Sequence, residues 1–445
     1  MKYINPQNLD LTDFIKAGDC IFCGQATGEP TILTEKLVEQ RKAIGPTEVF
    51  LGLTLSDTFD AEHADFLTFN SFGPMGNSKK LSDAGVLNIT PIHFGLISQY
   101  IIEGTLKCDV AFVLLSPRGP NGKHSFGVIN DYIRAAIDKA RIVIGEINDQ
   151  VPWVYSEGYP ELERFDVLIE TSRPVLQALP SKVTSIDKKI ADNVSKYIND
   201  EAILQIGMGS IPDAIALSIM DRRNLGFHSG MASDFLVNLM KSGVVTNITK
   251  PFDRGISTTA ILLGKTKLYE FADTNKELKL RPSWHTHSGD VHLLKNFVSI
   301  NSALEVDLTG QVGAEELNGI PVSAIGGQPD LVRAAHRSDG GHAIIALPSS
   351  AKDGKFSRIV SKLSGPVTTA RSDVDVIVTE NGAVDLRGKD LGERRRALIS
   401  IAAPNFQEDL EKSKNTSARL FPLDDHTNNI RLQYGYTNLV YRNVI

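Results

Sequence analysis

Short apolar runs alternate along this chain with longer stretches of helical spacing. Val110–Leu115 is apolar throughout and Val49–Leu55 and Ile142–Ile147 are predominantly so, and all three read as buried strands. Asn130–Ala140 carries its apolar residues at helical spacing. The pattern restarts near residue 197. Ala202–Ile206 reads as a strand, and Pro212–Met220 as a helix with proline near its first turn. Ala343–Leu347 and Val374–Val378 are later strands. Buried strands alternating with helices predict an α/β fold, its sheets mainly parallel and flanked by helices. The polar stretch Leu179–Lys189 separates two halves of similar size and style. The expected division is an N-terminal domain at 1–190 and a C-terminal domain at 191–445. No residue-level repeat relates them, and the last twenty residues are too weakly patterned to assign.

A chain of 445 residues is long enough for two or three domains. A hydrophobic fraction of 42% beside 22% charged residues provides a sizeable core. The net charge of -6 gives no global attraction to nucleic acid or to anionic membranes. The first ten residues lack the layout of a signal peptide, and no apolar run is long enough to span a bilayer. A cytoplasmic location is expected. Three cysteines argue against a disulfide framework, and Cys20 and Cys23 read as small buried hydrophobes.

Two glycine-rich turns are candidate chemistry. Gly207-Met-Gly-Ser-Ile-Pro212 lies where a strand passes into a helix. Glycines there admit close approach of a ligand, and free amides at the helix start favour an anion. Equally, it reads as a tight turn with no ligand. Pro212 removes the third glycine of a dinucleotide fingerprint, and no Gly-Lys-Ser/Thr follows to make a P-loop. Ser323-Ala-Ile-Gly-Gly-Gln-Pro-Asp330 is a second such turn, able to present a backbone N–H to a developing oxyanion or simply to turn the chain. In Ile144–Pro152, Glu146 and Asn148 either organise a cleft or tie down a loop. His285, His287 and His292 would share a face only if their segment were a strand. No cysteine or carboxylate set accompanies them, so no metal is expected. Glu393-Arg-Arg-Arg396 reads as a solvated, ion-paired helix face.

Several ordered segments resemble one family. Leu204–Met231 (which includes Leu225-Gly-Phe-His-Ser-Gly-Met231), Asn296–Val312, Ile325–Ala335 and Val376–Arg396 are similar to the acetyl-CoA hydrolase/transferase family, which includes the 4-hydroxybutyrate and butyrate:acetate CoA-transferases. The resemblance runs from Cys23-Gly-Gln-Ala26 to about Phe406. It implies two CoA-transferase-type (NagB/RpiA-like) domains, an acyl-CoA substrate, a small acceptor and a homo-oligomer. It implies Gly207, Met208, Gly209, Ser210, Ile211 and Ser323 against coenzyme A, and Gly326 or, preferably, Gly327 as oxyanion donor. Two departures from the family pattern are Gly119, where members often carry an acid, and Ala403, where they carry histidine.

The third departure bears on mechanism. The family motif reads roughly Leu-Gly-(Ile/Val)-His-(Ser/Thr)-Glu-Met, and this chain has Gly230 in place of the glutamate. In the family that carboxylate attacks the thioester, forming an acyl-glutamyl anhydride and then a glutamyl-CoA thioester. Glycine cannot do so. The expected activity is therefore direct acyl transfer or thioester hydrolysis, with His228 or Asp234 as base and Ser229 as a weaker alternative nucleophile. Two other readings stay open: a substituted, inactive carboxylate CoA-transferase, or a non-catalytic acyl-CoA-binding subunit.

Overall fold

A computed structural model describes residues 2–178 and 182–413. Two eight-stranded sheets dominate it, and only their strands are numbered below. The first comprises β1 (Lys2–Tyr3), β2 (Cys20–Cys23), β3 (Thr47–Leu51), β4 (Leu67–Ser71), β5 (Leu87–Ile89), β6 (Val110–Leu115), β7 (Ile142–Asn148) and β8 (Val167–Thr171). Their spatial order is β1-β8-β7-β6-β2-β3-β4-β5, and every pair is parallel. The second comprises β9 (Ile203–Ile206), β10 (Gly226–Ala232), β11 (Ser257–Leu262), β12 (Leu278–Leu280), β13 (Phe297–Asn301), β14 (His342–Ala346), β15 (Val376–Thr379) and β16 (Gly382–Asp385). Its order is β12-β11-β10-β9-β13-β14-β15-β16, parallel except for the last pair, which is a hairpin.

The apolar runs are continuous because helices cover both faces of each sheet; every residue of β2, β6, β9 and β15 is buried. The winding is the same in both halves. Four strands are laid down outward and the chain then returns beside the first of them; two more strands follow in the first sheet, whose edge is completed by the N-terminal β1, and three follow in the second. The repeat that residue identities conceal is thus present in the topology. No helix among the described residues is long and apolar enough to cross a membrane.

Three boundaries differ from expectation. The break at 190/191 falls inside the helix Ser185–Ser195, which opens on a Thr184/Asp187 capping box. That helix buries Ile190, Ala191 and Val194 in the same core as Leu204 and Ile206 of β9. The helix expected from Asn130 begins at Ile133. Asn130 N–H instead donates to the Ala260 carbonyl (2.9 Å), and Asp131 accepts from the Ile133 amide (2.9 Å). The run from Val49 stops being a strand after Leu51, because the Leu53 amide turns to the Gln25 side chain (2.8 Å).

The halves are stitched together by backbone. Leu262 N–H donates to Val128 (2.8 Å), the Thr27 hydroxyl to the Leu262 carbonyl (2.6 Å), and Phe94 N–H to Gly326 (2.9 Å). The three cysteines are free and buried, with Cys20 and Cys23 three positions apart on one strand.

Candidate active site

In open parallel sheets, ligands bind beyond the carboxyl ends of the strands where the winding reverses. Here the reversals fall between β2 and β6 and between β9 and β13. The two crevices face one another. A cavity of about 200 Å³ lies between them. Gln25, just past β2, lines it from the first half; Gly207, just past β9, and Asn301, at the end of β13, line it from the second. Its remaining wall is mostly apolar, including Phe72, Phe94 and Leu331.

Gly230 opens on this cavity from β10. Residues two apart on a strand share a face, so His228 and Gly230 do. The short helix Ser283–Thr286 crosses that face, placing the Thr286 carbonyl 3.3 Å from His228 Nε2. His287 follows and lies over Gly230. A Cβ at position 230 would stand 2.6 Å from His287 Cε1 and 2.9 Å from Nε2. A Cβ at Gly327 would stand 2.2 Å from the same Nε2. The ring therefore fills the gap between two residues that lack side chains. Phe94 meets it edge-on at 5.0 Å, and Nδ1 lies 2.9 Å from Thr286 Oγ1. Burial among these groups pulls its pKa down to about 4, leaving the imidazole neutral at pH 7. The part of the ring still accessible faces the cavity.

The Gly326–Gly327 turn is held against the first half. Gly326 has φ +59°, a left-handed conformation that suits glycine, and its carbonyl accepts from Phe94. Gly73 approaches Ala324 so closely that a Cβ there would lie 2.4 Å from the alanine Cβ. Gly327 caps the helix Gln328–Arg337, and Gly326, Gly327 and Gln328 all line the cavity. Ser323 donates its amide to Glu315 (3.0 Å) and does not line the cavity. In the other loop Gly207 and Met208 line it, while Gly209 (φ +121°) starts the helix Ser210–Ser218 and faces a neighbouring groove. Met208 borders both spaces; Ser210 and Ile211 line neither.

Residues 2–177 match the acetyl-CoA hydrolase/transferase N-terminal domain, and residues 264–414 match its C-terminal domain. The chain is 36% identical over 402 residues to a 4-hydroxybutyrate coenzyme A transferase of Clostridium kluyveri, covering 86% of this chain and 91% of that one. It belongs to the acetyl-CoA hydrolase/transferase family. A succinyl-CoA:cyclohexane-1-carboxylate CoA transferase of Geobacter metallireducens is 30% identical over 410 residues, with 91% and 94% covered. Among solved structures, RipA from Yersinia pestis superposes with a TM-score of 0.86 at 30% identity, covering 92% of this chain and 96% of that one. A 4-hydroxybutyrate CoA-transferase from Porphyromonas gingivalis superposes with a TM-score of 0.78 at 28% identity, with 97% and 98% covered. The family's activities are CoA transfer and thioester hydrolysis, and the chain is an enzyme of that kind.

Several expected site residues of this family member lie elsewhere. His228 is fully buried beneath Thr286 among Phe252, Phe297 and His285, so it does not reach the cavity as a base. Asp234 starts the helix Asp234–Lys241 and borders the neighbouring groove. Ser229 lines the cavity, but its hydroxyl donates to the Ile206 carbonyl (3.2 Å). Glu146 is fully buried and paired with Arg173 (2.7 Å), and Asn148 accepts from the Arg173 amide (3.1 Å). Both tie down the chain after β8.

The histidine run is not a strand. Its helical turn sends His285 to Asp253 (3.1 Å), His287 to the cavity, and His292 to the Gly289 carbonyl. His228, Asp253 and His285 could offer three ligand atoms within 4.8 Å of one another. Arg281 already pairs with Asp253, and Lys250 shares Thr258 Oγ1 with it (2.9 and 3.0 Å). The Arg281 guanidinium already holds that carboxylate, which makes a second cation costly there.

Other departures also have local explanations. A Cβ at Gly119 would stand 2.3 Å from the Trp153 ring, which leaves no room for an acid. Ala403 is buried as the cap of the helix Pro404–Lys412, away from the cavity. Arg394 and Arg395 donate to backbone carbonyls of Arg371 (2.8 Å) and Glu411 (3.0 Å), so they anchor chain segments rather than forming the expected ion pairs.

Proposed function

We propose that this chain binds an acyl-CoA with its thioester in the cavity between the sheets and passes the acyl group directly to water or another small acceptor. Gly207, Met208 and Gly209 border the coenzyme, and the Gly327 amide faces the oxyanion that forms when the thioester carbon is attacked. Collapse of that intermediate breaks the C–S bond and releases the thiol. No glutamyl anhydride forms, on the reading that position 230 is where the family carries its carboxylate.

One observation carries this: Gly230, with no nucleophilic atom, opens on the same cavity as the Gly326–Gly327 turn and the end of β9. The scaffold for holding a thioester is kept while the attacking side chain is not. The test is release of thiol from acetyl-CoA and butyryl-CoA, with hydroxylamine trapping and mass spectrometry of the protein. Thiol release without an acyl or CoA adduct is expected. No release despite calorimetric binding of CoA would leave a binding subunit, and an adduct on an acidic side chain would overturn the direct route. A cytoplasmic homo-oligomer completes the proposal by family resemblance, and light scattering checks the assembly.

A further inference from the structure

The cavity's lining holds glutamines, asparagine and serine among its polar groups, but none of the described residues there is lysine, arginine, aspartate or glutamate. The one side chain in it suited to accepting a proton is His287. Its ring occupies the volume against Gly230 and Gly327, with Nε2 nearest the oxyanion turn. Among the described residues, Nε2 has no hydrogen-bond partner. Nδ1 lies 2.9 Å from Thr286 Oγ1, and the ring also bonds the Ser283 backbone carbonyl. When Nδ1 carries the proton and donates it to that hydroxyl, Nε2 presents its lone pair to the cavity.

We infer that His287 is the catalytic base of a thioester hydrolysis in this cavity, and that the acyl group it serves is uncharged. This rests on the proposed function. Nε2 removes a proton from a water molecule as the water oxygen bonds to the thioester carbon. The oxyanion is met by the Gly327 amide. When the C–S bond breaks, the imidazolium returns its proton to the departing sulfur, leaving carboxylic acid, CoA thiol and neutral His287. Water is the favoured acceptor because the lining offers no cation to a carboxylate. A dicarboxylic acyl group, such as succinyl, meets the same lack, since a buried unpaired charge is costly. Burial keeps the ring unprotonated at neutral pH, the form a base requires.

The experiment measures thiol release from acetyl-, butyryl- and succinyl-CoA in ¹⁸O-labelled water, for the wild type, His287→Gln and His287→Ala. The wild type should place one ¹⁸O atom in the acid and prefer butyryl- over succinyl-CoA by roughly tenfold or more. Both variants should lose kcat by roughly 10²–10⁴-fold with little change in CoA affinity by calorimetry. Added imidazole should partly restore His287→Ala, which a merely structural role would not allow. His287→Gln keeps the volume should the smaller side chain impair folding. Gly230→Ala, which forces the ring aside, should lower kcat independently. No release by the wild type in water alone overturns this assignment; no release with small carboxylate, amine or alcohol acceptors added overturns the proposed function as well. Wild-type release that survives in both variants, or an acyl group trapped on His287, overturns the base role alone. Faster turnover of succinyl-CoA overturns the acyl preference alone.

Discussion

Introducing a glutamate at position 230 should fail on its own and succeed only when His287 is removed. The new Cβ would stand 2.6 and 2.9 Å from two ring atoms that Phe94 and Thr286 hold in place. Forcing such a ring to move costs about 1–3 kcal/mol of overpacking. A carboxylate entering a cavity without lysine or arginine adds about 1–3 kcal/mol, or takes up a proton instead. Gly230→Glu should therefore be destabilised by about 2–6 kcal/mol by urea unfolding. In Gly230→Glu/His287→Ala the steric part disappears, giving a coupling of about 1–3 kcal/mol in the double-mutant cycle. The assay for function is incorporation of labelled acetate into acetyl-CoA, with hydroxylamine trapping of a glutamyl thioester. The double variant should exchange and trap; the single one should do so poorly. A single variant as stable as the wild type, exchanging as well as the double, would refute the claim that His287 holds this space.

Three further outcomes follow from particular residues. Glu29 is buried, and its pKa is raised to about 7 from 4.5, so the folded state holds its proton more tightly than the unfolded one. Its contribution is full below pH 4.5 and falls as pH rises toward 7, by at most about 3 kcal/mol. Asp131, raised to about 6, adds a loss of the same sign, so urea stability should decline over this window and Glu29→Gln should flatten the slope. Arg173→Met strands the fully buried Glu146 carboxylate and should cost about 3–5 kcal/mol in urea unfolding, recovered largely by adding Glu146→Gln; a loss under 1 kcal/mol would refute the pairing argument. A Cβ at Gly207 meets nothing within 4 Å, so Gly207→Ala should leave the melting temperature unchanged while weakening CoA binding in calorimetry. Equal affinity would remove that glycine from the coenzyme's path.

Much of this fold was legible because buried parallel strands leave an uninterrupted apolar signature. Val110–Leu115 was read to the residue, and Ile142–Ile147 to within one. The domain break was not, although Thr184 and Asp187 stand at capping-box spacing that marks a helix start. The cavity's glycines were legible as turns, but the residue facing them was not. His285 and His287 would share a face on a strand; the helical turn Ser283–Thr286 sends one to Asp253 and the other to Gly230. That turn is four residues long, too short for hydrophobic periodicity to announce it. Gly230 did carry a usable signal. Glycine inside a largely buried strand marks a place where something bulky comes close. The sequence could not say what arrives there, because the partner lies 57 positions on (287 − 230) and is selected by packing between the halves. The vacated position and its occupant are therefore one feature, and substituting either should expose the other.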